Sequence, residues 1–140
     1  MLLETQIRNL QSGPWQPLRL ESGDILQGVR GRSGASGSPD GVSLMGMDLI
    51  EMDAGAAFEI HTHTGAHVLY VLNGEGWLDV EGERRRLSAG DCVFVPAAAP
   101  HGVSCEIDSP CPLSFIAVGF PHRAVDALDR MHLVDEHGHA

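Results

Sequence analysis

Two histidines separated by one residue, His61 and His63, stand in the segment IHTHTGAH at positions 60–67. In a β-strand the two side chains point to the same face, with Cα atoms roughly 6.6 Å apart. Two imidazoles at that separation can bind one divalent metal ion through bonds of about 2.1 Å. The pair therefore predicts two ligands of a metal site at the end of a strand.

His67 is the third histidine of the same segment. A straight strand would carry it about 13 Å beyond His63, so binding to the same ion requires a bend. Gly65 permits one, because glycine adopts backbone angles that other residues resist. The spacing predicts two ligands at a strand end, a turn, and a third ligand that opens the next strand. Three histidines near the C-terminus are interpreted instead as part of an exposed tail: His132, His137 and His139.

Most of the chain reads as short strands. Residues 41–55 are apolar at many positions and end in glycine, whereas residues 67–74 are rich in β-branched and aromatic residues and end in Asn-Gly, which is typical of a hairpin. Only residues 121–132 have the periodicity of a helix, with Asp126 and Arg130 as an i, i+4 pair. We therefore predict an all-β, antiparallel sandwich or barrel with a short C-terminal helix.

The order of these elements predicts one domain in three parts. Residues 1–40 form an N-terminal arm that runs into a flexible Gly/Ser loop at 31–41, residues 41–120 form the core barrel, and residues 121–140 form the helix and tail. A chain of 140 residues is long enough for one ordinary hydrophobic core and too short for two.

Composition argues against several classes of partner. The net charge is −10 and the one basic run is short, at residues 84–86, so nucleic acid is not an expected partner. The longest apolar stretches are too short to span a bilayer, and the N-terminus lacks the apolar core of a secretory signal. Three cysteines without the spacing of a metal-binding knuckle indicate reduced thiols and a cytoplasmic protein.

Two spaced motifs frame the histidines. Residues 55–74 read G-x5-H-x-H-x3-H-x6-G, and residues 90–105 read G-x5-P-x-A-x2-H-x3-C. Together they resemble the two motifs of the cupin superfamily, and the match covers about residues 45–120. His67 stands where the family usually has glutamate, Ala98 where it has glycine, and Cys105 where it has asparagine. The last two positions shape turns and packing, whereas the change at His67 alters the chemistry.

The resemblance implies a jelly-roll barrel, or double-stranded β-helix, with a metal ion inside its open end. It also implies that four histidines bind one divalent ion per chain: His61, His63, His67 and His101. Four neutral imidazoles leave such an ion its full +2 charge, which makes it a strong Lewis acid with positions open for water or substrate. We expect zinc first, although iron, nickel, copper or manganese would also suit four imidazoles.

The walls of the cavity are expected from strand alternation. If His67 and His101 face inward, the residues at alternate positions after them face inward too. Met45 and Met47 share one face of the strand in residues 41–55, where they either line the pocket or pack in the core. Trp77 is either a cavity wall or a residue of the sheet surface. The candidate pocket residues are Met45, Met47, Leu69, Val71, Trp77, Val103 and Cys105.

Two carboxylates are candidates for acid–base chemistry. Glu59 lies two residues before His61, and a regular strand would place both on the same face. Asp48 lies within an apolar strand, where it needs a partner or solvent. Either could move a proton near the metal, and the competing interpretation is that both are exposed.

Three classes of function remain open. The chain is similar to small, single-domain cupin-type aromatic polyketide cyclases, which use a four-histidine zinc site. The leading hypothesis is therefore a metal-dependent cyclase that acts on an enolisable substrate of the polyketide or β-dicarbonyl type. The alternatives are a cupin dioxygenase that cleaves a carbon–carbon bond with O2 and a non-catalytic cupin that only binds a small molecule.

The resemblance also bears on assembly. Single-domain cupins commonly pair through their outer sheets, which predicts a homodimer. The apolar N-terminal stretch LQSGPWQPLRL, which contains Trp15, could add a strand across such an interface.

Overall fold

A computed structural model describes residues 5–134 of the chain. The strands, in chain order, are β1 (Gln16–Arg19), β2 (Ile25–Gly37), β3 (Met45–Met52), β4 (Ala57–Thr62), β5 (Ala66–Asn73), β6 (Glu75–Val80), β7 (Glu83–Ser88), β8 (Cys92–Val95), β9 (His101–Cys105), β10 (Leu113–Phe120) and β11 (His132–Leu133). All pair in antiparallel fashion. The predicted all-β, antiparallel jelly-roll architecture is confirmed.

The strands form two sheets that enclose the core. One sheet has six strands in the order β1-β2-β3-β10-β5-β8, and the other has five in the order β11-β4-β9-β6-β7. Several strands that follow one another in the chain, such as β3 and β4 or β5 and β6, belong to different sheets. The chain therefore crosses repeatedly between the sheets and closes the apolar space between them.

The interior changes character along the strands. On β5 the inward positions are His67, Leu69 and Val71, so each step of two residues moves away from the histidines. Leu113 and Met52, both fully buried, lie opposite each other on the far side. We call the first region the histidine end, which holds the inward-facing His61, His63, His67 and His101. The second is the apolar end, which holds Met52, Val71, Cys105 and Leu113.

The Asn-Gly pair that ends the predicted strand 67–74 is not a hairpin turn. Asn73 ends β5 and Glu75 begins β6, and these strands lie in different sheets. Gly74 has φ +84°, and a Cβ there would meet backbone atoms at 2.6 Å, so only glycine fits this crossing. The hairpin of this region connects β6 to β7 through Glu81 and Gly82, both with positive φ.

The predicted flexible loop at residues 31–41 is wrong over residues 31–37, which continue β2 and pair with β3. The glycines of this segment allow neighbouring parts of the chain to approach its backbone closely. A Cβ on Gly31 would lie 2.7 Å from Val125, and one on Gly34 would lie 2.3 Å from the carbonyl oxygen of Met47. At the edge of the same sheet β1 pairs with β2 of its own chain. The ring centroid of Trp15, just before β1, lies 3.9 Å from the guanidinium carbon of Arg32.

The helix predicted over residues 121–132 is also wrong. The segment forms turns and irregular backbone until β11, and residues 5–134 contain no helix that could cross a membrane. Val125 and Met131 are buried, but Leu128, the third member of the helical pattern, is 51% exposed. Contacts across the barrel, such as that of Val125 with Gly31, outweigh the weak local preference for a helix.

Candidate metal centre

An irregularity in β4 decides which of its side chains face the interior. Between Phe58 and His61 the strand carries one more residue than its partner β9, which breaks the alternation. Phe58 and His61 are therefore both buried, whereas Glu59 and Ile60 are exposed. The prediction that Glu59 shares the face of His61 is wrong. Glu59 contributes its backbone carbonyl, which accepts a hydrogen bond from Nδ1 of His61 (2.6 Å).

The turns around β4 and β9 bring the four predicted histidines together. His101 opens β9 opposite His61, with 4.4 Å between the ring centroids. His63 follows the end of β4 and His67 lies near the start of β5, with 4.3 Å between their centroids. Gly65, which lies between them, allows a distant segment to approach closely, because a Cβ there would lie 2.5 Å from the backbone carbonyl oxygen of Pro121.

Three of the rings direct a nitrogen to one point. One ring nitrogen each from His61, His63 and His101 lies within 4.8 Å of the other two. Nε2 of His61 is 2.9 Å from Nε2 of His63. Two metal–nitrogen bonds of about 2.1 Å that meet at a right angle hold their nitrogens about 3 Å apart. The separation therefore suits two ligands of one ion.

Backbone carbonyl groups orient these three rings. The acceptors of the Nδ1 hydrogen bonds are Glu59 for His61 (2.6 Å), Arg130 for His63 (2.7 Å) and Ala99 for His101 (2.9 Å). A carbonyl oxygen only accepts, so Nδ1 carries the proton and Nε2 offers a lone pair. Two lone pairs 2.9 Å apart repel each other unless a cation lies between them. The donor set therefore fits a divalent metal ion, with the hydrogen-bonded support that metal-binding histidines usually have.

The rings are held in the neutral form. Burial lowers the pKa of His61 to about 3 and that of His63 to about 2, and the neighbouring imidazoles act in the same direction. Burial also lowers the pKa of His101. Near neutral pH no proton therefore competes with a metal ion for Nε2.

His67 lies beside this group. Its Nδ1 is buried and has no hydrogen-bond partner among the described residues. Gly119 gives the ring its space, since a Cβ there would lie 3.1 Å from Nε2 of His67. Burial, and then the charge of Arg130, lower the pKa of His67 to about 4. Its nitrogens are not among the three that lie within 4.8 Å of one another, so its role as fourth ligand stays a prediction.

A small cavity, partly open to solvent, adjoins the histidines. Leu69 and Val103, two of the predicted pocket residues, line it. Val71 and Cys105 are buried in the core but do not line it. The other apolar lining residues, which sequence reasoning did not single out, are Ile50, Phe58, Phe115 and Ala117.

Three predicted pocket residues lie outside the barrel. Met45 and Met47 are each 42% exposed, because the inward face of β3 carries Asp48 and Ile50 instead. The strand is apolar on both faces, so alternation alone could not choose between them. Trp77 faces outward as well, and its indole N–H donates to a carboxylate oxygen of Glu106 (2.6 Å).

Asp48 lies on the inward face of β3 and is 1% exposed. Its Oδ2 accepts hydrogen bonds from Nε2 of His122 (2.8 Å) and Nη1 of Arg130 (3.3 Å). Arg130 also lines the cavity. Sequence reasoning missed Arg130 because it interpreted the Asp126–Arg130 pair as the surface of a helix. The available signal was Asp48, an acid in an apolar strand that requires a cationic partner.

Comparison with known proteins gives a family and several relatives. The family model described as "Cupin domain" (Cupin_2) matches residues 48–119. Quercetin 2,3-dioxygenase of Bacillus subtilis (strain 168) is 35% identical over 89 residues, which are 61% of this chain and 26% of the relative. Acireductone dioxygenase of Tuber melanosporum (strain Mel28) is 32% identical over 80 residues, 54% of this chain and 44% of the relative. The chain spans less than half the length of either relative.

A solved structure resembles nearly the whole chain. The polyketide cyclase RemF from Streptomyces resistomycificus superimposes with a TM-score of 0.73, covering 94% of this chain and 87% of that chain. The two sequences are 19% identical. At that identity the likeness establishes the fold and leaves the reaction to be argued from the site.

Proposed function

The chain belongs to the cupin family, and from this premise we propose that it is a metal-dependent enzyme acting on a small enolisable molecule. The substrate class is a polyketide or another β-dicarbonyl compound. One observation carries the proposal: three neutral imidazoles, each oriented by a backbone carbonyl, offer ring nitrogens that lie within 4.8 Å of one another beside a mainly apolar cavity.

The residues of the site have distinct tasks. His61, His63 and His101 would hold the metal ion, with His67 as the proposed fourth ligand. When bound, a divalent cation supplies Lewis-acid chemistry, because it polarises a carbonyl oxygen and so acidifies the neighbouring C–H group. No carboxylate of the described residues lines the cavity to offset positive charge. Apolar side chains such as Phe115 exclude water, which strengthens the electrostatic interactions inside.

Within this class we propose a cyclase that closes a ring by an aldol-type step, with zinc as its ion. Two observations support this choice. The fold likeness to a polyketide cyclase extends over 94% of this chain. In addition, His67 stands where the usual family motif has glutamate, so the predicted ligand set carries no negative charge.

A dioxygenase is the second candidate, because both curated relatives are dioxygenases at 35% and 32% identity. Cleavage of a carbon–carbon bond by O2 would need a redox-active ion such as iron, copper or manganese. Metal identity and oxygen consumption therefore separate the two candidates.

The test is metal analysis of protein purified without added ions, followed by oxygen-electrode measurements with enolisable diketones and flavonols. Zinc, with no oxygen consumed while a polyketide analogue cyclises, supports the cyclase. Iron, copper or manganese with oxygen uptake overturns it in favour of the dioxygenase. Binding of these compounds without turnover of either kind identifies a non-catalytic binding protein.

We also propose that the chain forms a homodimer through the outer face of the six-stranded sheet. Two rows of side chains cross four strands there: Met47–Val118–Val68–Phe94 and Leu49–Ile116–Tyr70–Cys92. Neither row contains a charged residue, although the chain carries a net charge of −10. Two copies can therefore meet there without opposing their carboxylates. Light scattering should show a dimer for the native chain and a monomer for Tyr70→Glu.

The compartment is inferred from the thiols. Cys92, Cys105 and Cys111 are free cysteines, which suits a reducing environment. A cytoplasmic location stays a prediction.

A further inference from the structure

Arg130 is the one charged side chain among the described residues that line the cavity. It belongs to the irregular segment between β10 and β11 and is 7% exposed. Burial lowers its pKa, but an arginine side chain remains protonated in proteins. The cavity therefore has a permanent positive charge in a wall of apolar side chains and neutral histidines.

The guanidinium group is fixed without being fully paired. Its Nη1 donates to Oδ2 of Asp48 (3.3 Å) and to the backbone carbonyl of Arg123 (2.9 Å). Oδ2 of Asp48 also accepts a hydrogen bond from His122, and Oδ1 has no partner among the described residues. The contact with Asp48 is thus a single long hydrogen bond rather than the two parallel ones that arginine and carboxylate groups favour. The other N–H groups are not used by Asp48.

The same residue is tied to the metal centre. The backbone carbonyl of Arg130 accepts the hydrogen bond from Nδ1 of His63 (2.7 Å). Arg130 and His67 also line the same cavity. A fixed cation therefore shares this cavity with the histidines whose nitrogens converge.

We propose that Arg130 is a specificity-determining residue that binds the carboxylate of the substrate. The substrate class is then a 2,4-dioxo acid, or its enol, whose carbonyl oxygen faces the three histidines while the adjacent carboxylate meets the guanidinium group. The planar donors of arginine match a carboxylate, and Arg130 lines the same cavity as the three histidines. This inference rests on the proposed function, which it narrows from any enolisable carbonyl compound to an anionic one.

The test compares two probes that differ only at one end: pentane-2,4-dione and 2,4-dioxopentanoate, in which a carboxylate replaces a methyl group. Isothermal titration calorimetry on the metal-loaded protein measures the affinity for each. We expect the carboxylate probe to bind at least about tenfold more tightly, because one charge-assisted contact has that order of effect. The metal content of each sample is measured in parallel.

The decisive variant is Arg130→Met combined with Asp48→Asn, because Arg130→Met alone would remove the arginine that faces a buried carboxylate and could unfold the chain. The double variant should keep the metal and the affinity for pentane-2,4-dione but lose the preference for the carboxylate probe. Asp48→Asn alone removes the competing carboxylate, so the preference should be kept or increased. Arg123→Gln, which removes an arginine charge from the same segment, is the matched control and should change neither affinity.

The outcomes separate the two levels of the argument. If the native protein binds both probes equally, or if the double variant keeps the preference, the carboxylate subsite is wrong while the proposed function stands. Equal loss of both probes in the double variant and in Asp48→Asn would assign Arg130 a purely structural role and would also overturn the subsite. If metal-loaded native protein binds neither probe, the proposed function fails and the subsite fails with it.

Discussion

The histidine end and the apolar end of the barrel are built from the same strands but serve different purposes. On β5 they are two steps apart, from His67 to Val71, and on β9 from His101 to Cys105. At the histidine end, burial keeps ionisable rings neutral and ready to bind a cation. At the apolar end, side chains such as Leu113 each contribute roughly 1.5–3 kcal/mol by leaving water. Apolar packing and metal binding thus depend on different parts of the same strands, and we expect a substitution at one end to have its main effect there.

The largest effect should follow from His101→Ala. Removal of one of three convergent ligands should weaken metal binding by more than about 100-fold, since even residues that only support metal ligands contribute 10–100-fold. Calorimetric titration and metal analysis measure the change, and circular dichroism should show that the metal-free fold is kept. His132→Ala is the control, because this histidine on β11 pairs with the exposed Glu21 and should leave the affinity unchanged. Tight metal binding by the His101 variant would contradict the proposed centre.

At the apolar end a substitution should lower stability and leave metal binding unchanged. Leu113→Ala should lower the free energy of unfolding by about 2–5 kcal/mol, as expected when a fully buried leucine is truncated. The metal stoichiometry should remain that of the native chain. Urea denaturation measures the first quantity, and Ile107→Ala, an exposed position, should change stability by less than about 0.5 kcal/mol. Loss of the metal in Leu113→Ala would show that the two ends are coupled.

The stability of the metal-free protein should depend on pH through the buried histidines. In the unfolded chain these histidines titrate near pH 6.5, whereas burial lowers the folded-state pKa of His61 to about 3 and of His63 to about 2. Below pH 6.5 the unfolded chain therefore binds protons that the folded chain does not, and stability falls as the pH falls. The slope is at most about 1.4 kcal/mol per pH unit for each histidine.

Denaturation in the presence of a chelator between pH 7.5 and 5 measures this slope, in a range above that of most carboxylates. The stability should be flat above about pH 7. His63→Ala should reduce the slope, because it removes one buried ring. Identical slopes for native protein and His63→Ala would show that the buried ring does not resist protonation.

The smallest effect is expected at His67, which lies beside the three convergent nitrogens. His67→Ala should lower metal affinity by about tenfold, the weaker end of the range seen for groups around a metal. His67→Glu restores the commoner family ligand and should keep the metal while it lowers the positive charge of the site. Full affinity in His67→Ala would remove this residue from the ligand set.

Sequence reasoning succeeded where the pattern was regular. β5 alternates without interruption, so Leu69 and Val71 are buried while Val68, Tyr70 and Leu72 are partly exposed. The spaced motifs identified the family because each histidine stands at a fixed distance from a glycine or proline that shapes a turn. Both patterns depend on residues that are close together in the chain, so they can be recognised in the sequence itself.

It failed where geometry depends on distant parts of the chain. The extra residue between Phe58 and His61 is visible only against β9, so the exposure of Glu59 could not be read from β4 alone. The segment 121–131 has apolar spacing that suits a helix, yet Val125 packs on a glycine of β2 and Arg130 reaches Asp48 on β3. Such contacts join residues about ninety positions apart, so they produce no periodic pattern in the sequence.

The orientation of the imidazoles by backbone carbonyls has a consequence for how such a barrel can diversify. Substitution changes side chains and leaves the peptide groups in place, so no single mutation can delete the acceptors at Glu59, Ala99 and Arg130 that align the rings. The side chains around the histidines can therefore vary in size and polarity while the hydrogen bonds that orient the rings remain. In such a scaffold, substitutions that change the substrate pocket need not disturb the hydrogen bonds that orient the histidines.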